Sequence, residues 1–457
     1  LKQKVGWYLM DKKLSNKEYI YIGSMLFGLF FGAGNLIFPV HMGQLAGQNL
    51  LPAILGFIVT AVGLPFLGIV AMGLSGKESL LEMASKVHPK YGVFFTAALY
   101  LTIGPFFATP RTATVSFEAA FAPYLDPSMT KMTLFLFSLL FFAAVLWFSL
   151  KPSEILKWVG KVLNPIFLVF LSILILFGFF APMGTASEIP VDASYQTGAF
   201  FKGFLEGYNT MDALASLAFG IIVVTTIQGL GVTKTTTIAK DTIKSGTISM
   251  LLMAVIYGSL VYLGATSRGI FEISDNGGIA LAQISNEYFG IFGAVLFAVI
   301  ITVACLKTAI GLITAISETF VHMFPGSLDY KKYVYLFTAI SFGLANLGLS
   351  QIIAFSIPVL MFLYPLSITL ILLSIMSSQF NDRTIVYQMT TLFTLPFATV
   401  DFLKALPQGI KDAVGLNGVI AWTDSAIPLS DIGMGWLIPS LIGFAIGLAV
   451  SKYNKLA

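Results

Sequence analysis

Apolar residues run along this chain in blocks of roughly 20, separated by short polar connections, and that is the length at which an α-helix crosses a bilayer. The blocks predict twelve spanning segments, at approximately 19–46, 50–73, 91–123, 131–150, 153–180, 207–230, 243–266, 289–322, 332–349, 351–376, 384–405 and 434–451. The period-two alternation of a membrane barrel is absent from them. The expected class is an all-α membrane protein. Two connections are expected to be partly helical, Lys77 to Val87 and Gly277 to Tyr288. The longest outside connections, around 181–206 and 406–433, are rich in Gly, Pro and acidic residues.

The first block is interrupted at Phe31-Gly32-Ala33-Gly34-Asn35-Leu36-Ile37-Phe38-Pro39. Gly32 and Gly34 let the backbone leave helical geometry there, and Pro39 falls where a second half-helix is under way. Gly-x-Gly pairs also serve plain helix packing. Asn35 favours a break, because an amide offering donor and acceptor is costly in lipid and useful to a polar ligand. Segment six carries Leu217-Ala218-Phe219-Gly220, and a shift of 188 residues lays Phe219-Gly220 on Phe31-Gly32. Segments six to ten then fall on one to five. An odd number of helices per unit inverts the second unit, giving a five-plus-five inverted repeat with broken helices 1 and 6. The expected units are 1–18 as a cytoplasmic N-terminal segment, 19–180 and 206–376 as the two repeats, and 384–457 as helices 11 and 12 with a tail.

Two facing breaks describe a site for a zwitterion. The N–H groups that open the half-helix after Gly34 suit a carboxylate. Carbonyls before Gly32 and around Ala215 and Ser216 suit an ammonium or a metal cation. With Leu36, Ile37, Leu217 and Phe219 at hand and no charged residue within either break, the ligand's side chain should be uncharged and apolar. Among the charges expected inside the membrane, Lys307 sits near the middle of segment eight, a functional position by default. Snorkelling, or a structural pairing with Glu318 or with helix-one carbonyls, is the alternative to a role in coupling. Arg111 and Asp212 could approach across an outer vestibule as a gate or as a structural pair. Glu118 and Glu318 carry no assigned role.

Composition narrows the classes further. With 57% hydrophobic and 11% charged residues, the chain cannot hide its apolar surface in a soluble globule. The stretch from Leu1 to Lys17 is polar and basic and does not read as a cleavable leader, so the first helix should direct its own insertion. Nineteen Lys and Arg residues fall on the side of the N-terminus and five on the other, which predicts cytoplasmic termini. The net charge of +4 reads as topology and not as nucleic-acid binding. The single cysteine, Cys305, and three scattered histidines offer neither a disulfide, a metal cluster nor a catalytic arrangement. Neither an enzyme nor a cofactor is expected.

Three stretches resemble a known family: Phe-Gly-Ala-Gly-Asn-Leu-Ile-Phe-Pro at 31–39, Ile-Gly-Pro-Phe-Phe-Ala-Thr-Pro-Arg-Thr-Ala at 103–113, and Ala-Cys-Leu-Lys-Thr-Ala-Ile-Gly-Leu at 304–312. They are similar to the bacterial branched-chain amino acid:cation symporter family, within the amino acid–polyamine–organocation superfamily. The resemblance implies a LeuT-type fold, a bacterial inner membrane and uptake of leucine, isoleucine and valine with sodium or a proton as coupling cation. It implies contacts to the substrate carboxylate at Gly32, Ala33, Gly34 and Asn35, a cation contacted through Asn35, and a second cation held by Gly28 and Phe31 carbonyls. Lys307 and Thr308 fall where two hydroxyl residues complete that second site, and an ammonium at Lys307 cannot be a cation ligand. Sodium there is thus expected to be displaced. Oligomeric state is not legible.

Overall fold

The computed structural model describes residues 12–77, 79–150 and 164–453, and every regular element among them is helical. In chain order these include α1 (Asn16–Phe30), α2 (Ala33–Ala46), α3 (Leu50–Ile58), α4 (Leu64–Ser75), α5 (Leu80–Ala84), α6 (Pro89–Leu101), α7 (Ala108–Ala120) and α8 (Pro127–Ser149). They continue with α9 (Asn164–Phe180), α10 (Ala199–Glu206), α11 (Asp212–Gly229), α12 (Thr235–Ser267), α13 (Gly277–Met323) and α14 (Tyr330–Ala345). The last are α15 (Leu349–Met376), α16 (Thr384–Ala405), α17 (Gln408–Val414), α18 (Asn417–Ala426) and α19 (Leu437–Tyr453). Seven helical stretches among the described residues are long and apolar enough to cross a membrane, and Leu168–Phe180 and Leu437–Tyr453 are apolar but shorter. The opening of the expected fifth segment, with Lys157 and Lys161, lies outside the described residues.

The first apolar block is not one continuous helix. Phe31 ends α1 at φ −72°, ψ 100°, and Gly32 is extended at φ −127°, ψ −164° before α2 begins. A capping box starts α1: Ser15 and Glu18 exchange side-chain and backbone hydrogen bonds. Nearly all of α2 is buried. It lies between α12 and α13, and α13 also packs along α7. The α2–α12 approach is close enough that a Cβ on Gly43 would stand 2.0 Å from the Val261 carbonyl oxygen, and one on Gly264 2.0 Å from that of Val40. Small residues at both crossings let the two backbones touch, as membrane helix pairs require.

Segment six breaks elsewhere than the sequence suggests. Asp212–Gly229 is one uninterrupted helix, so Ala215, Ser216, Phe219 and Gly220 are not at a break. The chain leaves helical geometry between α10 and α11, through a tight turn at Gly207–Thr210 and then Met211 at φ 63°. Left-handed backbone at a side chain with a Cβ costs about 1–3 kcal/mol and persists only where its surroundings enforce it. The Phe-Gly dipeptide misleads because Gly220 serves packing: a Cβ there would lie 3.0 Å from the Met72 Cβ on α4. A further interruption falls in segment three, where a wide turn at Thr102–Phe106 with Gly104 non-helical separates α6 from α7.

Both connections expected to be partly helical are so, as α5 and as the first part of α13, which bends at Gly290 with φ 61°. The stretch around 406–433, expected only as a long connection, folds into α17 and α18.

Candidate functional site

The two breaks face one another, and Asn35 joins them. Asn35 stands in the first turn of α2, where its Oδ1 accepts from the Gly32 N–H at 2.9 Å and so closes the helix start. Its amide nitrogen donates to Asp212 Oδ2 at 2.6 Å and also to the Tyr257 hydroxyl of α12. Tyr257 in turn donates to the same Asp212 oxygen at 2.9 Å. Asn35, Asp212 and Tyr257 are at most 2% exposed, so a carboxylate is held in the interior by an amide and a phenol with no basic side chain bonded to it. A buried carboxyl group there needs such hydrogen-bond donors. The ring of Tyr257 stacks on Phe31 with centroids 6.2 Å apart and meets Phe57 edge-on at 5.5 Å.

Carbonyls freed by the second break are clamped from outside the segment. Arg111 of α7 is 3% exposed, and its Nη1 donates to the Asn209 carbonyl at 2.7 Å while Nη2 points at the Met211 sulfur at 3.0 Å. The guanidinium also lies 5.0 Å over the ring of Phe38 of α2, so one residue spans both broken segments. Tyr364 of α15 donates to the Tyr208 carbonyl at 3.0 Å, and the two rings stack at 3.8 Å. Arg111 and Asp212, expected as a gating or structural pair, share this buried region without bonding: neither figures among the four ion pairs of the described residues.

Of the residues expected to bind a zwitterion, Gly32, Ala33, Gly34 and Asn35 do open α2 at the break. A Cβ on Gly34 would lie 3.3 Å from the Phe38 ring and 3.6 Å from the Asn209 carbonyl oxygen, between the two segments. Ala215 and Ser216 are not so placed. The Ala215 N–H completes a helical bond to Met211, and the Ser216 hydroxyl donates to Ala213 at 2.7 Å. Ser216 is fully buried against Gly68 of α4, where even one added Cβ would stand 1.9 Å from its Oγ. Helical carbonyls in this stretch are not offered to an ammonium; the break lies upstream, at Met211. Phe219 is half-buried on the same helix.

The expected cation residues do come together. Lys307 of α13 reaches α1, its Nζ donating to the Gly28 carbonyl at 3.1 Å. Thr308 donates its hydroxyl to the Ala304 carbonyl at 3.1 Å and lies beside Gly32, whose Cβ would be 3.7 Å from Thr308 Oγ1. Phe31 stands at the end of α1 next to them. No group of three or more His, Cys, Asp or Glu side chains among the described residues is arranged to hold a metal ion.

Sequence reasoning misses Tyr257, Tyr364 and the run Tyr208-Asn209-Thr210-Met211. The available signal is that polar run itself, ending in Asp212, inside an otherwise apolar block.

A sequence profile described as "Branched-chain amino acid transport protein" matches residues 15–454. The chain is 49% identical to the branched-chain amino acid permease BrnQ of Lactobacillus delbrueckii subsp. lactis, over 96% of this chain and 97% of that one. It is 45% identical to the branched-chain amino acid permease BrnQ of Bacillus subtilis (strain 168), over 97% and 99%. Its fold is similar to that of Mhp1, a nucleobase-cation-symport-1 family transporter solved in a closed conformation with bromovinylhydantoin bound: the TM-score is 0.55 at 11% identity, covering 95% of this chain and 92% of Mhp1. The three motif stretches, the two joined breaks and a match running from residue 15 to residue 454 lead to one assignment: the chain belongs to the branched-chain amino acid transport protein family, whose members are transporters and not enzymes.

Proposed function

We propose that the protein imports leucine, isoleucine and valine by alternating access, driven by a cation gradient, through twelve spans arranged as a LeuT-type five-plus-five inverted repeat. The Asn35–Asp212 hydrogen bond between the two breaks carries this reading. It puts a helix N-terminus for a carboxylate next to a buried carboxylate for an ammonium, which is zwitterion chemistry. The bond joins residues 177 apart, one from each proposed repeat. Phe31, Leu36 and Phe38 supply an uncharged surround for a branched apolar side chain. The positive-inside count supports cytoplasmic termini, and the bacterial relatives support a bacterial cytoplasmic membrane.

Lys307 is assigned the place of one cation. An ammonium 3.1 Å from the Gly28 carbonyl does not fit a sodium ion sharing that oxygen. Repulsion between two unit charges about 4 Å apart is roughly 4 kcal/mol at an effective dielectric of 20, enough to lower occupancy about a thousandfold. Asp212, with Asn35 and Tyr257, is the acid at the breaks that could take the coupling cation, sodium or proton. Uptake of labelled isoleucine into proteoliposomes, under sodium and proton gradients imposed separately, tests both parts. Leucine and valine should compete and lysine and glutamate should not; equal inhibition by lysine would sink the apolar zwitterion site. Wild type should take up isoleucine on a proton gradient without sodium, and an absolute sodium requirement would overturn the assignment of Lys307.

A further inference from the structure

A cavity of about 850 Å3, within the size range of small-molecule pockets, adjoins the second break, with Tyr208 and Asn209 forming part of its wall. It is also lined by Ser194, Tyr195, Thr197 and Gly198 before α10 and by residues 430–433 after α18. Leu205, Met361 and Ile432 give it an apolar face.

Asp401 of α16 lines the same cavity. It is 2% exposed, and its Oδ2 has no hydrogen-bond partner. A buried carboxylate oxygen left without a donor is costly, so the position has a use for an incoming donor. Lys404, three residues on, shares the cavity and is committed elsewhere: its ammonium binds Asp424, the Ser430 carbonyl and the Ser430 hydroxyl. Glu206 adds a second carboxylate to the lining, while the other basic lining residue, Lys202, is an exposed one. The cavity is thus lined by a buried acid, one oxygen of which has no hydrogen-bond donor, beside an apolar wall.

We propose that this cavity is an outer binding site for an aliphatic primary ammonium, with the cation on Asp401 and the branched chain against Leu205, Met361 and Ile432. It receives the amino acid before transfer to the breaks, and for that role it rests on the transport reading above. The carboxylate of the substrate is not needed here, whereas the start of α2 requires it. That difference provides the probe. 3-Methylbutylamine has the carbon chain and ammonium of leucine without its carboxylate.

Titration calorimetry of purified wild-type protein with 3-methylbutylamine should show binding. Asp401→Asn should weaken it about tenfold, as a charge-assisted hydrogen bond becomes a neutral one. Met361→Trp, which fills the apolar face and leaves the charge intact, should weaken it as well, so a folding defect peculiar to one variant does not decide the outcome. In proteoliposomes, Asp401→Asn should raise the isoleucine KM severalfold and leave the maximal rate unchanged. Absence of amine binding to wild type, or equal binding by wild type and Asp401→Asn, would overturn the proposal. Loss of isoleucine uptake by wild type would instead contradict the transport reading, while the calorimetric comparison would still decide on this cavity.

Discussion

The two broken segments reach the same point by different physics. Segment one is broken by its own residues: Gly32 is extended, Gly34 has no Cβ to fill the gap, and Asn35 caps the new helix with its own side chain. Segment six contains no glycine at its left-handed position, which is Met211, and its freed carbonyls are taken by Arg111 and Tyr364 from other helices. One break is local and the other is enforced by packing. On the proposed transport reading, one half of the site is held locally and the other half depends on where α7 and α15 stand, which would couple ligand geometry to helix position.

Substitutions can break that contrast in order of expected size. Gly34→Leu should abolish isoleucine binding, measured on purified protein, because its branches fill the space between the Phe38 ring and the Asn209 carbonyl. Insertion should survive, since leucine is well tolerated in lipid. Arg111→Met should lower uptake about a hundredfold, since losing a charged donor and leaving a buried carbonyl unpaired costs roughly 3 kcal/mol. Wild-type uptake by this variant would show that the second break needs no clamp. Tyr364→Phe keeps the stacked ring and removes one hydrogen bond, so it should weaken isoleucine binding by about 1 kcal/mol, near fivefold. Ser216→Ala should leave uptake within about twofold of wild type, because that hydroxyl bonds its own helix against α4. A large loss there would return the site to the middle of α11.

The same contrast explains what can be read from the chain. Apolar block length gives the helical membrane class, and a break made by Gly32, Gly34 and Asn35 is visible because its causes are adjacent in sequence. Lys307 is visible as a charge in mid-block, and its reach to Gly28 follows from its depth on α13. The second break is harder to place because Phe219-Gly220 mimics the first, while its actual causes, Arg111 and Tyr364, lie 98 and 156 residues from the carbonyls they hold. Tyr257 gives no local signal: its role depends on Asn35, 222 residues away.

The central claim is that the two breaks form one site through Asn35 and Asp212. A double-mutant cycle on isoleucine binding, with Asn35→Ala, Asp212→Ala and the pair measured on purified protein, addresses it directly. The account predicts a coupling energy of at least about 1 kcal/mol, within the range for residues in one hydrogen-bond network. Losses that simply add, or binding unchanged in either single variant, would contradict it.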